Sequence, residues 1–256
     1  MNRIDSKFSE CRKVGRKAMI VHVTAGDPDE ETSYRILSET ARSGADVIEL
    51  GLPFSDPTAD GPVVQRASQR AIASGMNIPR AFALLARFRK SYATPVLLSS
   101  YANPLFRYGY EAFARDAEAA GADGLTAIDI PPEESDELEE ALARHGILLV
   151  RPVSSTTTEK RLSLISRGAG GFFPVITAGD CPASHVKELV SEFRPSLSLP
   201  LCLERGQAMD GELFQFLSLF DGLVDETSVA SLSESLRGDE LVAALGLKMT
   251  DLRSRL

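Results

Sequence analysis

Glu49 and Asp60 are the side chains of this sequence best placed to exchange protons with a substrate. They fall within residues 49–65, Glu-Leu-Gly-Leu-Pro-Phe-Ser-Asp-Pro-Thr-Ala-Asp-Gly-Pro-Val-Val-Gln. Val47, Ile48 and Leu50 bracket Glu49, a pattern that predicts a fully buried strand. An unpaired ionised carboxylate is costly there, so Glu49 is expected to titrate upward or to be placed for chemistry. Asp60 comes after Pro53 and Pro57 have stiffened the path and before Gly61-Pro62 turns it. In a polar loop it is expected to stay ionised. Two carboxylates in unlike environments suit general acid–base work, because their proton affinities are pushed apart. The plainer alternative makes Glu49 a hydrogen-bonded strand-end acid and Asp60 the cap of a helix starting near Pro62.

The elements that must position this pair alternate along the whole chain. Apolar runs predict strands near 18–24, 46–50, 95–99, 124–128, 147–151, 171–175, 199–203 and 222–225. Helical spacing separates them, most cleanly at Val186, Leu189, Val190 and Phe193, and again at Leu213, Phe216, Leu217 and Phe220. Ser-Gly-Ala-Asp at 43–46, Ala-Gly-Ala-Asp at 120–123 and Arg-Gly-Ala-Gly at 167–170 form a weak echo, each ending a helix and starting a strand. No Pro/Gly/Ser-rich linker divides the sequence. Such regular strand–helix units over roughly 250 residues predict an α/β chain folded as a single-domain (β/α)8 TIM barrel spanning residues 1–256. A doubly wound open sheet is the alternative. In a barrel, functional residues gather at the C-terminal strand ends. Thr24, Asp27, Glu49, Asp60, Ser99, Ser100, Tyr101, Asp129 and Phe173 all fall there. Asp129 could equally cap the helix beginning at Pro131-Pro132-Glu133, and Tyr101 reads as a packing or interface residue.

Composition removes several function classes. A net charge of −8 argues against nucleic acid or an anionic membrane surface. No apolar run approaches the roughly 18 residues of a membrane span, and the N-terminus lacks a secretory apolar core. Cys11, Cys181 and Cys202 are scattered, without metal-ligand spacing, which fits a reduced cytoplasmic protein. The three histidines are isolated, so neither a metal nor any other cofactor is expected. Gly168-Ala169-Gly170-Gly171 precedes a strand instead of opening a helix, which argues against a nucleotide-binding module.

Residues 49–65 resemble the signature of the tryptophan synthase alpha chain family. So do Val23-Thr24-Ala25-Gly26-Asp27-Pro28 and Tyr101-Ala102-Asn103-Pro104. The resemblance runs nearly the whole chain in order and length, strongly to about residue 135 and patchily after about 150. It implies a cytoplasmic lyase of tryptophan biosynthesis that cleaves indole-3-glycerol phosphate by a retro-aldol reaction to indole and glyceraldehyde 3-phosphate. It also implies a separate beta chain in an α2β2 assembly. Glu49 matches the family's acid–base residue, and Asp60 matches its partner for the indole nitrogen. Substrate contacts are implied for His22, Ser100, Asp129, Phe173, Thr227 and Ser228. Partner contacts are implied for Pro53, Phe54, Asp56, Pro57 and Asn103.

The second half departs from the family pattern at the phosphate site. The family holds phosphate on backbone N–H groups of glycine-rich turns and a helix N-terminus. Here the turns read Cys202-Leu203-Glu204-Arg205-Gly206 and Gly222-Leu223-Val224-Asp225-Glu226-Thr227-Ser228. The loop Ile176-Thr177-Ala178-Gly179-Asp180-Cys181 lacks the family's arginine. Phe173 stands in for a tyrosine, and His22 for an aromatic that packs on the indole. Asp180, Glu204, Asp225 and Glu226 therefore crowd the expected anion site. Two like charges about 4 Å apart repel by roughly 4 kcal/mol at an effective dielectric of 20, about three orders of magnitude in affinity. Arg205 could offset part of this, Thr227 or Ser228 could cap toward a phosphate, and a slipped register would bring Gly206 into the turn. The departure opens a second reading, an alpha-like subunit that activates the beta chain with little or no turnover. A third is a barrel enzyme using the same acid pair on an unphosphorylated substrate.

Overall fold

In the computed structural model, residues 2–176, 183–205 and 216–256 are described, apart from the side chains of 183–185 and 205. Asp180, Cys181, Gly206 and Leu213 lie outside the described residues. The apolar runs form parallel strands β1 (Ala18–Thr24), β2 (Val47–Gly51), β3 (Val96–Ser100), β4 (Gly124–Ala127), β5 (Leu148–Leu149), β6 (Val153–Ser154), β7 (Phe173–Ile176), β8 (Leu201–Arg205) and β9 (Gly222–Asp225). Their order is β5-β4-β3-β2-β1-β9-β8-β7-β6. The first and last strands are thus neighbours, with Ile20 opposite Val224, as a barrel requires. A doubly wound sheet would not pair them.

The strand expected over 147–151 is two short pieces. β5 pairs with β4 on one side and β6 with β7 on the other. Val150-Arg151-Pro152 separates them, and Pro152 has no N–H to give a ladder. The same extended segment therefore bridges both ends of the sheet order and closes the ring. A Leu149–Ala169 bridge adds a second tie. The described end of the helical pattern begun at Leu213 is a 3-10 turn over Leu217–Leu219.

Alternation along the strands sorts side chains into an outer layer under the helices and an inner one. The lower inner layer is apolar: Ile20, Val47, Leu97, Val150, Phe172, Cys202 and Val224 pack together. The helix Arg3–Lys13 plugs it from below with Ile4 and Phe8, the Phe8 ring 5.2 Å from that of Phe172. The upper inner layer is the polar one.

The echo at 43–46 and 120–123 has a structural meaning. Each Asp sits just before a strand and accepts both from the neighbouring strand's first N–H groups and from arginines. Asp46 takes Arg16 at 2.7 Å, Arg253 at 2.6 Å and Met19 N at 2.9 Å. Asp123 takes Arg3 at 2.7 Å, Arg89 at 2.6 Å and Val96 N at 2.8 Å. Asp221 repeats the arrangement with Arg194 at 2.6 Å and Leu201 N at 2.9 Å. These clamps fix the lower rim of the barrel. No described helix is long and apolar enough to cross a membrane.

Candidate active site

At the C-terminal ends of the strands the inner layer turns from hydrocarbon to carboxylate. Strand pairing sets His22 opposite Glu49, Gly51 opposite Ser99 and Ser99 opposite Thr126. His22, Glu49, Ser99 and Thr126 line one cavity of about 160 Å³ together with Asp60, Glu204 and Glu226. Asp60 reaches it because its loop is tied down: Asp60 N donates to Pro57 O at 3.2 Å, and Gln65 Nε2 donates to Asp60 O at 2.9 Å. It does not cap the helix Pro62–Ala73. Gly61 holds that position without a side-chain bond, and Pro62 starts the helix. Glu49 and Asp60 therefore face a common space from a strand and from the loop that follows it.

His22 lies over Gly51. A Cβ on Gly51 would come 2.6 Å from His22 Cε1, so only glycine leaves room for the ring. The ring's Nδ1 is 3.8 Å from Glu49 Oε1, and its Nε2 is 3.5 Å from Thr24 Oγ1. Burial alone would push the imidazole pKa down. The nearby carboxylate of Glu49, with the charges of Glu226 and Asp60, outweighs that and raises it. Thr126 Oγ1 is buried without a hydrogen-bond partner among the described residues, a group left for a ligand.

Asp60, expected in polar surroundings, is half-buried. Burial raises its pKa, opposed by His22 and by a hydrogen bond from Tyr101, while Glu49 adds to the rise. Tyr101 is itself buried, and its pKa is raised by burial and by Asp60. Its hydroxyl also accepts from Ala59 N at 3.1 Å, and its ring lies 5.4 Å from that of Phe54. Tyr101 thus ties the acid loop to β3, a role that its reading as a packing residue understated. Glu204 is raised well above the carboxylate range by burial and by Glu226, Glu49 and Asp60. Burial raises Glu226 to about 7; His22 opposes the shift, and Glu49, Asp60 and Asp225 support it.

Several substrate-binding expectations miss the cavity by one residue. Ser99 lines it and Ser100 does not. Ile128 lines it in place of Asp129, Pro174 in place of Phe173, and Glu226 in place of Thr227 and Ser228. For Ser100 and Phe173 the physical reason is the two-residue period of a strand, in which a slip of one turns a side chain to the opposite face. Phe173 is buried in the outer core. Asp129 accepts from Ala102 N at 2.6 Å, so it fastens the β3 loop. Ser228 Oγ donates to Asp225 Oδ1 at 3.0 Å, which leaves both turned away from the cavity. Thr227 precedes the helix Ser228–Ser235 without a side-chain capping bond. Glu204 and Glu226, expected near the anion site, line the cavity of Glu49 and Asp60.

A larger cleft of about 420 Å³ adjoins this cavity past Ile128 and Pro152, and Asp129 lines it. Its two arginines are already engaged, Arg151 with Glu139 and Arg161 with Glu133. Size alone does not make it the reactive site. Around the acid loop, Asp56 and Asn103 are exposed, while Pro53, Phe54 and Pro57 are half-buried. Phe106, on the helix Ala102–Tyr108, is 73 % exposed.

Comparison with known proteins places this architecture. A family profile described as "Tryptophan synthase alpha chain" matches residues 8–228. A tryptophan synthase alpha chain of Laribacter hongkongensis is 40% identical, over 96% of this chain and 98% of its own length. That of Desulfosudis oleivorans is 38% identical, over 96% and 95%. A solved tryptophan synthase subunit alpha from Legionella pneumophila str. Paris superposes with a TM-score of 0.92 at 32% identity, covering 100% of this chain and 98% of that one.

Proposed function

We propose, since this chain belongs to the tryptophan synthase alpha chain family, that Glu49 and Asp60 carry the family's reaction in the cavity they share. That reaction is the lyase cleavage of indole-3-glycerol phosphate to indole and glyceraldehyde 3-phosphate. The carbon–carbon bond at the indole ring breaks when the ring carbon gains a proton and the adjacent hydroxyl loses one. Glu49, beside His22, is the group that exchanges these protons. Asp60, held by Tyr101, stabilises positive charge developing at the indole nitrogen. The observation that supports this assignment is the convergence of both carboxyls on one cavity at the barrel mouth.

The family implies a beta-chain partner, and we assign the docking face to the proline-bounded loop with Pro53, Phe54, Asp56 and Pro57, next to Asn103. An α2β2 assembly, a cytoplasmic location and a single domain over residues 1–256 belong to the same reading. Cleavage assayed with and without a cognate beta chain tests it. Glu49→Gln is expected to lower kcat by about 10²–10⁴ with an unchanged circular dichroism spectrum, and Asp60→Asn by about 10²–10³. Full activity in the Glu49 variant would overturn the assignment.

A further inference from the structure

The cavity contains two more acids than the cleavage uses. Glu204 enters from β8 and Glu226 from just past β9. The titratable groups around them are His22 from β1, Glu49 from β2 and Asp60 from the following loop, with Asp225 behind Glu226. The lining from β3, β4 and β7, with Ile128 and Pro152, is uncharged, and no lysine or arginine is among the described lining residues. A phosphate monoester is close to a dianion above about pH 7. Among the described lining residues only the His22 imidazole could offset that charge, and it faces four acids.

We propose, resting on the assignment of phosphorylated-substrate cleavage to this cavity, that Glu204 and Glu226 are its charge-selecting residues, and that the substrate enters with both in the acid form, drawing a proton from solvent where the free cavity lacks one. As a neutral acid each side chain turns from a repelling acceptor into an O–H donor for the substrate's oxygens. Burial and mutual repulsion already favour that form, Glu226 titrating near 7, so uptake is easy at neutral pH and hard above it. Affinity for the phosphorylated substrate therefore falls as pH rises.

The test uses the full chain with indole-3-glycerol phosphate and with indole-3-glycerol, which lacks the phosphate. Between pH 6.5 and 8.5 KM for the phosphorylated compound is expected to rise at least about tenfold, and that for the other by less than about twofold. Calorimetry at pH 8 in two buffers of different ionisation enthalpy is expected to show net proton uptake on binding the phosphorylated compound. Glu226→Gln and Glu204→Gln replace the ionisable groups with neutral ones, and their double variant should bind with a flattened pH profile. A slope that survives in the double variant would belong to the phosphate itself and would overturn the inference. So would a flat native profile, or no binding at either pH. The calorimetric readout needs no turnover, so proton-linked binding without cleavage would count against the catalytic assignment alone.

Discussion

The lower and upper rims of this barrel both carry carboxylates, and they treat them in opposite ways. At the lower rim Asp46, Asp123 and Asp221 each meet at least one arginine and a backbone N–H. At the upper rim Glu49, Asp60, Glu204 and Glu226 share a cavity with one histidine and no described arginine or lysine. Asp46 and Asp123 are the more deeply buried acids, so partner supply and not burial sets the two rims apart. Asp46, which burial alone would raise, is pulled below its usual pKa by Arg16, Met19 N and Arg253, whereas Glu226 is pushed up. Paired charge holds a fold together, and unpaired charge is held in place by the fold for use on something else.

The contrast fails if removing a lower-rim acid is harmless. Asp123→Ala takes the shared carboxylate from Arg3, Arg89 and Val96 N, leaving Arg89 with backbone carbonyls alone, and a loss of about 3–5 kcal/mol is expected in urea unfolding. An unchanged midpoint would place the rigidity elsewhere.

Opposite pH signatures would sharpen it. Glu226 binds its proton more tightly folded than unfolded, so the stability it contributes is fully present below its unfolded value of about 4.3. That contribution is lost as pH climbs to about 7, and is constant above. About 2–3 kcal/mol should disappear across that window and be recovered in Glu226→Gln, read from denaturant midpoints at pH 4.5 and 8. Asp46 behaves oppositely. Its lowered pKa gives stability that is present above about pH 4 and lost as pH falls further.

The smallest expected effect concerns the loop. Tyr101→Phe removes the hydroxyl that accepts from Ala59 N and acts on Asp60, while keeping the ring contact with Phe54. Cleavage should slow by about 3–10-fold, on the order of 1 kcal/mol, with little change in unfolding midpoint. An equal loss of stability would make Tyr101 part of the scaffold alone.

Much of this was readable from residue order. The buried run around Glu49 and the proline-stiffened path to Asp60 single out two carboxyls that the structure brings to one cavity, because each signal is local. The fifth strand reads in the sequence as one run, but its division into two pieces depends on which neighbours each piece meets. Ser100, Asp129 and Phe173 missed by a single position, since adjacent strand residues differ in face while sharing neighbourhood and chemistry. Tyr101 gave no sign in sequence that its hydroxyl would meet Asp60, which lies in a different loop.

The sequence by itself determined the alternation of strand and helix, the acid pair and its family, because periodicity and short motifs are properties of neighbours along the chain. Only the tertiary structure decided which face each strand turns inward and that Glu204 and Glu226 join His22 around one cavity. Those outcomes depend on the pairing of β1 with β9, a contact between strands far apart in sequence that no local pattern specifies.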